Sequence, residues 1–113
     1  MIINMKLWNS PYELIKNGSK TIEIRLNDEK RSLIKIGDII EFTNNETFEK
    51  MQVEVINLYK YNTFKELYEN HDKISTGYLE DEVANYNDMY LYYSKEEEKT
   101  FGVLAIEIKL IRR

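Results

Sequence analysis

The chain reads as an α+β domain built on a curved mixed sheet or small β-barrel of five to six strands with two to four short helices. Three observations predict this. Strand-like segments come in runs with helices inserted between them, where a doubly wound parallel sheet would alternate the two regularly. All four glycines and the single proline fall at element boundaries. The 113 residues suffice for one domain, 1–113, that buries a single core without disulfide or metal staples.

The predicted order is β-α-β-(short α)-β-β-α-α-β. Met1 to Trp8 reads as a first strand. Ser10-Pro11-Tyr12-Glu13 is a dense helix start, in which Ser10 caps, Pro11 takes the first helical position and Glu13 completes a capping box. The helix runs from Pro11 to about Asn17, where Gly18 supplies the left-handed residue that ends it. Thr21 to Leu26 has the β-branched alternation of a strand.

Asn27 to Leu33 is polar, with room for one helical turn, and Ile36-Gly37-Asp38 turns the chain into a strand at Ile39-Ile40-Glu41-Phe42. Asn44-Asn45 marks a turn into Met51 to Tyr59, so these two strands form a hairpin in which Val53, Val55 and Asn57 share one face. Thr63-Phe64-Lys65-Glu66 repeats the capping-box pattern and opens a helix to about Asn70 with an apolar stripe of Phe64, Leu67 and Tyr68. His71 to Thr76 reads as a loop closed by Gly77. Tyr78 to Asn87 has Leu79, Val83 and Tyr86 at helical spacing, which predicts an amphipathic helix. Ser94-Lys95-Glu96-Glu97 starts a short helix, and Phe101 to Ile111 is a long strand, apolar on both faces at first and therefore internal to the sheet.

Apolar content of 42% with 32% charged residues is that of a soluble globular protein. No stretch approaches the roughly 20 apolar residues that span a bilayer, so no membrane partner is expected. The absence of cysteine excludes thiolate chemistry and most zinc patterns, and the first residues lack the features of a secretory signal. A cytoplasmic location is expected. A net charge of −4 argues against broad, sequence-independent binding to duplex nucleic acid. The charges are unevenly spread, however. Acids concentrate in Glu80-Asp81-Glu82 and Glu96-Glu97-Glu98, whereas Lys16, Lys20, Arg25, Lys30, Arg31 and Lys35 cluster in the first third and leave part of the surface open to an anion.

The most informative stretch is Gly18-Ser19-Lys20-Thr21-Ile22-Glu23-Ile24-Arg25. Strand alternation places Ile22 and Ile24 on one face and Thr21, Glu23 and Arg25 on the other, so an acid and a base point together away from the core. Lys20 stands where the chain leaves the turn. Lys20 and Arg25 offer cationic donors for a phosphate or a base carbonyl, and Glu23 either holds Arg25 or accepts from an exocyclic amine. The alternative is a surface salt-bridge set that stabilises by about 0 to 1 kcal/mol.

The motif Gly-x-Lys-x-x-Glu-x-Arg, here Gly18, Lys20, Glu23 and Arg25, resembles the signature of the ASCH domain family, which shares the PUA-like β-barrel fold. Ile36-Gly37-Asp38, Tyr61-Asn62-Thr63-Phe64 and Phe101-Gly102-Val103-Leu104-Ala105-Ile106 are also similar to small stand-alone ASCH proteins, so the resemblance covers nearly the whole chain. It implies a cleft near the signature and RNA or a modified nucleoside or nucleotide as partner. The expected ligand-binding residues are Lys20, Thr21, Glu23, Arg25, Tyr92 and Tyr93, with no cofactor and no metal.

Some ASCH proteins are amidohydrolases acting on N4-acetylcytidine, in which the signature lysine works with a threonine and a downstream glutamate. Lys20 matches that lysine, but Glu23 occupies the threonine's place, and Glu69 or Asp72 is the nearest match to the acid. If the chain is an enzyme, a hydrolase of a nucleoside amide or of RNA, Lys20 and Glu23 are its catalytic residues. An activity like that of metal-dependent ribonucleases, which some ASCH proteins resemble, would instead make Glu23 with Asp28 or Asp88 candidate ligands. A third reading is a protein-interaction domain using the acidic, tyrosine-rich second half.

Tyr90, Tyr92 and Tyr93 could offer platforms on which unpaired bases stack, more readily than Trp8 or Tyr68. His71, the only histidine, reads as a solvated loop residue, and Glu96 to Glu98 as a solvated helix start.

Overall fold

The computed structural model describes residues 2–111. Five strands, β1 (Ile2–Leu7), β2 (Ile22–Leu26), β3 (Ile39–Asn44), β4 (Lys50–Tyr61) and β5 (Val103–Leu110), form one mixed sheet in the order β1-β3-β4-β5-β2. Its curl makes a half-barrel of the α+β, PUA-like type. β1 pairs parallel to β3, and β3–β4, β4–β5 and β5–β2 are antiparallel. The edges β1 and β2 face each other across a seam bridged by a side chain: Arg25 Nη2 donates to the Lys6 carbonyl at 3.0 Å. Of the predicted first strand, Met1 lies outside the described residues.

The hairpin β3–β4 forms as its alternation requires, with Ile40, Phe42, Val53 and Val55 fully buried. A bulge between Val55 and Asn57 then shifts the phase of β4. Leu58, not Asn57, returns to the face of Val53 and Val55, opposite Ile106 on β5, and Tyr59 and Tyr61 turn to the other side. β5 is internal and carries Val103, Leu104, Ala105 and Ile106 with almost no exposure, as its two-sided apolar start implies.

Two apolar clusters result. The main one joins β1, β3, β4 and β5 to Tyr12 and Ile15 of α1 (Asn9–Lys16). The second packs Ile22, Ile24 and Leu26 of β2 with Val103 and Ala105 against Phe64 and Leu67 of α2 (Phe64–Asn70). Each of the buried Val, Leu, Ile and Phe side chains contributes about 1.5 to 3 kcal/mol. β2 is therefore buried on both faces. Glu23 lies opposite Ile106 and Arg25 opposite Leu104, on the side of the main core, so the acid and base do not point away from the core as alternation alone suggests.

Several elements depart from what local patterns predict. Helix α1 starts at Asn9, and Trp8 is its N-cap without a side-chain bond. The Asn9 N–H instead donates to Glu46 Oε2 at 3.0 Å, so a carboxylate from the β3–β4 loop does the work expected of Ser10. Asn27 to Leu33 contains one 3-10 turn, Arg31–Leu33, and α2 is capped by Thr63 as predicted. Residues read as loop include a helical turn, α3 (Lys73–Thr76), capped by Asp72 and closed by Gly77.

The amphipathic helix expected over Tyr78 to Asn87 is absent. Lys73 Nζ donates to the carbonyls of Glu80 and Glu82, and Glu82 Oε1 accepts from the Leu79 N–H, so local bonds take the groups a helix ladder would use. Leu79 and Val83 are exposed in consequence, and a 3-10 helix, Tyr86–Leu91, follows. α4 (Lys95–Phe101) has the predicted capping box between Ser94 and Glu97. Glu98 is not solvated: it is buried, and its carboxylate accepts from the Phe64 N–H at 2.7 Å and the Tyr90 hydroxyl at 2.8 Å.

Candidate functional site

Lys20 lies in the short connection between α1 and β2, and Glu23 and Arg25 follow on β2. All three side chains converge. Lys20 Nζ stands 3.1 Å from Glu23 Oε1, while Arg25 Nη2 and Nε lie 2.7 and 2.9 Å from Glu23 Oε2. Side-chain exposure is 9% for Lys20, 6% for Glu23 and 15% for Arg25, which rejects the solvated surface salt bridge. Burial alone would raise the pKa of Glu23, but Lys20 and Arg25 outweigh it and hold the carboxyl below the usual carboxylate range.

The donor count of this triad is incomplete. Lys20 uses one hydrogen on Glu23 and one on the Thr76 carbonyl at 3.3 Å, leaving a third. Arg25 spends Nε and Nη2 on Glu23 and Lys6, and its Nη1 makes no hydrogen bond among the described residues.

The triad lines a cleft of about 550 Å³ that runs along the seam between β1 and β2. Lys6, Leu7 and Trp8 form one wall, Pro11 and Leu14 of α1 another, and Tyr68, Thr76, Gly77, Tyr78, Asp88, Met89, Tyr92 and Tyr93 close it from the far side. Trp8 and Tyr92 are 59% and 63% exposed, so both offer ring faces at the rim. Tyr93 lines the cleft but is stacked on Phe64, centroids 5.8 Å apart, and Tyr90 packs edge-on against the same ring outside the cleft.

Thr21 does not line the cleft: its N–H donates to the Ser75 carbonyl and its carbonyl accepts from Ile108. Glu69 is exposed on α2 and Asp72 caps α3, so neither reaches the triad. Asp28 pairs with Arg31, and no group of three or more metal-ligating side chains occurs among the described residues. His71 is not a solvated loop residue. It bonds to the Tyr61 hydroxyl at 2.9 Å and meets Tyr59 edge-on, outside the cleft, and burial lowers its pKa against the opposing pull of Glu107.

Trp8, Thr76 and Tyr78 are cleft residues that the sequence reading ranked low or missed. The Tyr78 hydroxyl donates to Asp88 Oδ2 at 2.7 Å and is 3.1 Å from the Tyr68 hydroxyl, tying the 3-10 helix to α2. Burial raises the pKa of Tyr68, which stays a neutral phenol. Gly77 could have been flagged as a helix stop, but its second role is visible only in three dimensions. A Cβ there would meet Lys20 Cδ at 3.2 Å and Nζ at 3.4 Å, and its φ is +114°. Gly77→Ala is expected to cost about 1 to 3 kcal/mol and to displace Lys20 from Glu23. Urea unfolding measures the first effect, and a wild-type midpoint would refute it.

The arrangement is that of a PUA-like domain with a cleft lined by Lys20, Glu23 and Arg25. The ASCH domain family model matches residues 5–112, and the chain belongs to this family. It is similar to the crystal structure of hypothetical protein PH0355, with 38% identity, a TM-score of 0.82, and coverage of 98% of this chain and 100% of that one. The solution NMR structure of PF0455 from Pyrococcus furiosus shares 35% identity at a TM-score of 0.72, with both chains fully covered. ZmASCH from Zymomonas mobilis, at 12% identity and a TM-score of 0.60, covers 98% of this chain and 71% of its own, and supports the fold alone. No curated protein matches the chain.

Proposed function

We propose that this domain binds RNA or a modified nucleotide, holding one unpaired nucleotide in the seam cleft. The observation that carries the proposal is the buried Lys20–Glu23–Arg25 triad, which faces the cleft with unused N–H donors. A solvated charge cluster would be free to rearrange; this one is fixed by Glu23, by Thr76 and by the Lys6 carbonyl. Exposed Trp8 and Tyr92 supply the stacking surfaces that single-stranded recognition uses, at about 1 to 3 kcal/mol per base.

Hydrolysis fits the same site less well. Both Glu23 oxygens are engaged by cations and its carboxyl is held low, which makes it a weak general base, and no hydroxyl stands at its position.

The single tryptophan makes the test direct. Trp8 fluorescence is expected to change on titration with short single-stranded RNA or with free nucleotides, and Arg25→Ala is expected to weaken binding about tenfold or more. Equal binding by both proteins, or none by either, overturns the proposal. Capture of a protein partner with no recovered RNA would favour an interaction domain instead.

A further inference from the structure

The cleft carries more positive charge than the protein neutralises. Lys6, Lys20 and Arg25 line it against Glu23 and Asp88, three cations against two carboxylates. Asp88 stands on the far wall, where it accepts from Tyr78, and Glu23 is shared by two cations. The floor therefore keeps one unit of positive charge in a partly desolvated place, where an uncompensated charge is costly.

Among the described residues its unused hydrogen-bonding groups are mostly donors. The third Lys20 hydrogen and the Arg25 Nη1 hydrogens are all donors, and Glu23 on the same floor is already bonded through both oxygens. A base edge carrying an amino group would set donor against donor. A group with one negative charge and two terminal oxygens meets the charge and the donors together, with lysine acting as a point charge and arginine as a planar donor.

Resting on the nucleotide reading above, we propose that the Lys20–Glu23–Arg25 floor holds a phosphodiester group and not a base. The bases then lie on the exposed rings of Trp8 and Tyr92 at the rim. A phosphodiester bears a single negative charge, which balances the floor, whereas a terminal phosphate carries more. Glu23 is a positioning residue here: it fixes both cations and leaves their outward hydrogens to the ligand.

The wild-type protein tests this without any variant that could fail to fold. Trp8 fluorescence is titrated with the dinucleoside monophosphate UpU, with both diastereomers of its uncharged methylphosphonate counterpart, and with uridine. UpU is expected to bind at least about tenfold more tightly than either methylphosphonate, since a hydrogen bond to a charged group is worth about 1.5 to 3 kcal/mol. Its log affinity should fall with log salt at a slope of about −0.7, that of one single-strand phosphate contact. Methylphosphonates that bind as tightly as UpU, with the same salt slope, overturn the phosphate placement and leave the cleft reading standing. No binding of any of the three overturns both.

Discussion

Glu23→Gln is expected to lower the stability of the folded chain by about 3 kcal/mol at neutral pH, the scale seen when one member of a buried ion pair is removed. The substitution keeps the shape of the side chain but leaves Lys20 and Arg25, 9% and 15% exposed, without their shared counter-charge. The pH dependence has a definite sign. The folded-state pKa of Glu23 is lowered, so its contribution is fully present above the unfolded value of about 4.3 and is lost as pH falls through the folded value. Wild-type stability should therefore decline below about pH 4.3, and the gap to Glu23→Gln should narrow there. Guanidinium unfolding of both proteins at pH 7 and at steps down to pH 3 measures this. An undiminished gap at pH 3 would show that the carboxylate charge is not what stabilises the triad.

Gly102→Ala is expected to be as damaging for a different reason. Gly102 stands between α4 and β5 with φ 71° and ψ −174°, a backbone region open essentially to glycine alone. An added Cβ would also lie 2.9 Å from the Tyr61 carbonyl oxygen, a backbone atom with no rotamer to yield. Neither strand can shift easily, because Tyr61 pairs with Val103 at the next position and the Gly102 carbonyl accepts from the Asn27 N–H. Strain and overpacking together point to a loss of about 3 kcal/mol or more, which lowers the melting temperature by roughly 12 °C or more. A calorimetric scan within a few degrees of wild type would refute it.

How much of this was legible in the sequence depends on the range over which each feature is decided. The β3–β4 hairpin, the internal strand β5 and the caps Thr63 and Ser94 are written in neighbouring residues, and each forms where the pattern places it. The cap of α1 comes from Glu46, 37 residues away, so no local rule could find it. The stripe of Leu79, Val83 and Tyr86 has helical spacing, yet Lys73 takes the carbonyls of Glu80 and Glu82 and the segment never closes a ladder. In β4, one extra residue at the bulge reverses the face of everything after it, which alternation cannot anticipate.

The site divides the same way. The spacing of Lys20, Glu23 and Arg25 picked out three side chains that meet in one cleft, which also takes in Tyr92 and Tyr93 but not Thr21. Their burial did not follow from that spacing, because it is imposed by α3 and the 3-10 helix folding over an edge strand from 50 to 70 residues downstream. Trp8 shows the converse. Its size suggests a core residue, whereas its place at the end of β1, as the N-cap of α1, leaves it at the rim.

The seam between β1 and β2 also bears on how the chain behaves among its own copies. A half-barrel has two unpaired margins, and an unpaired margin is a template on which another molecule can add a strand. β2 is five residues long, its start is covered where Thr21 bonds to Ser75, and charged side chains are turned inward along it. An incoming strand would meet Arg25 held across the seam on the Lys6 carbonyl and inward-turned charges beside it. The charges that shape the cleft thus also guard the open margin of the sheet against aggregation.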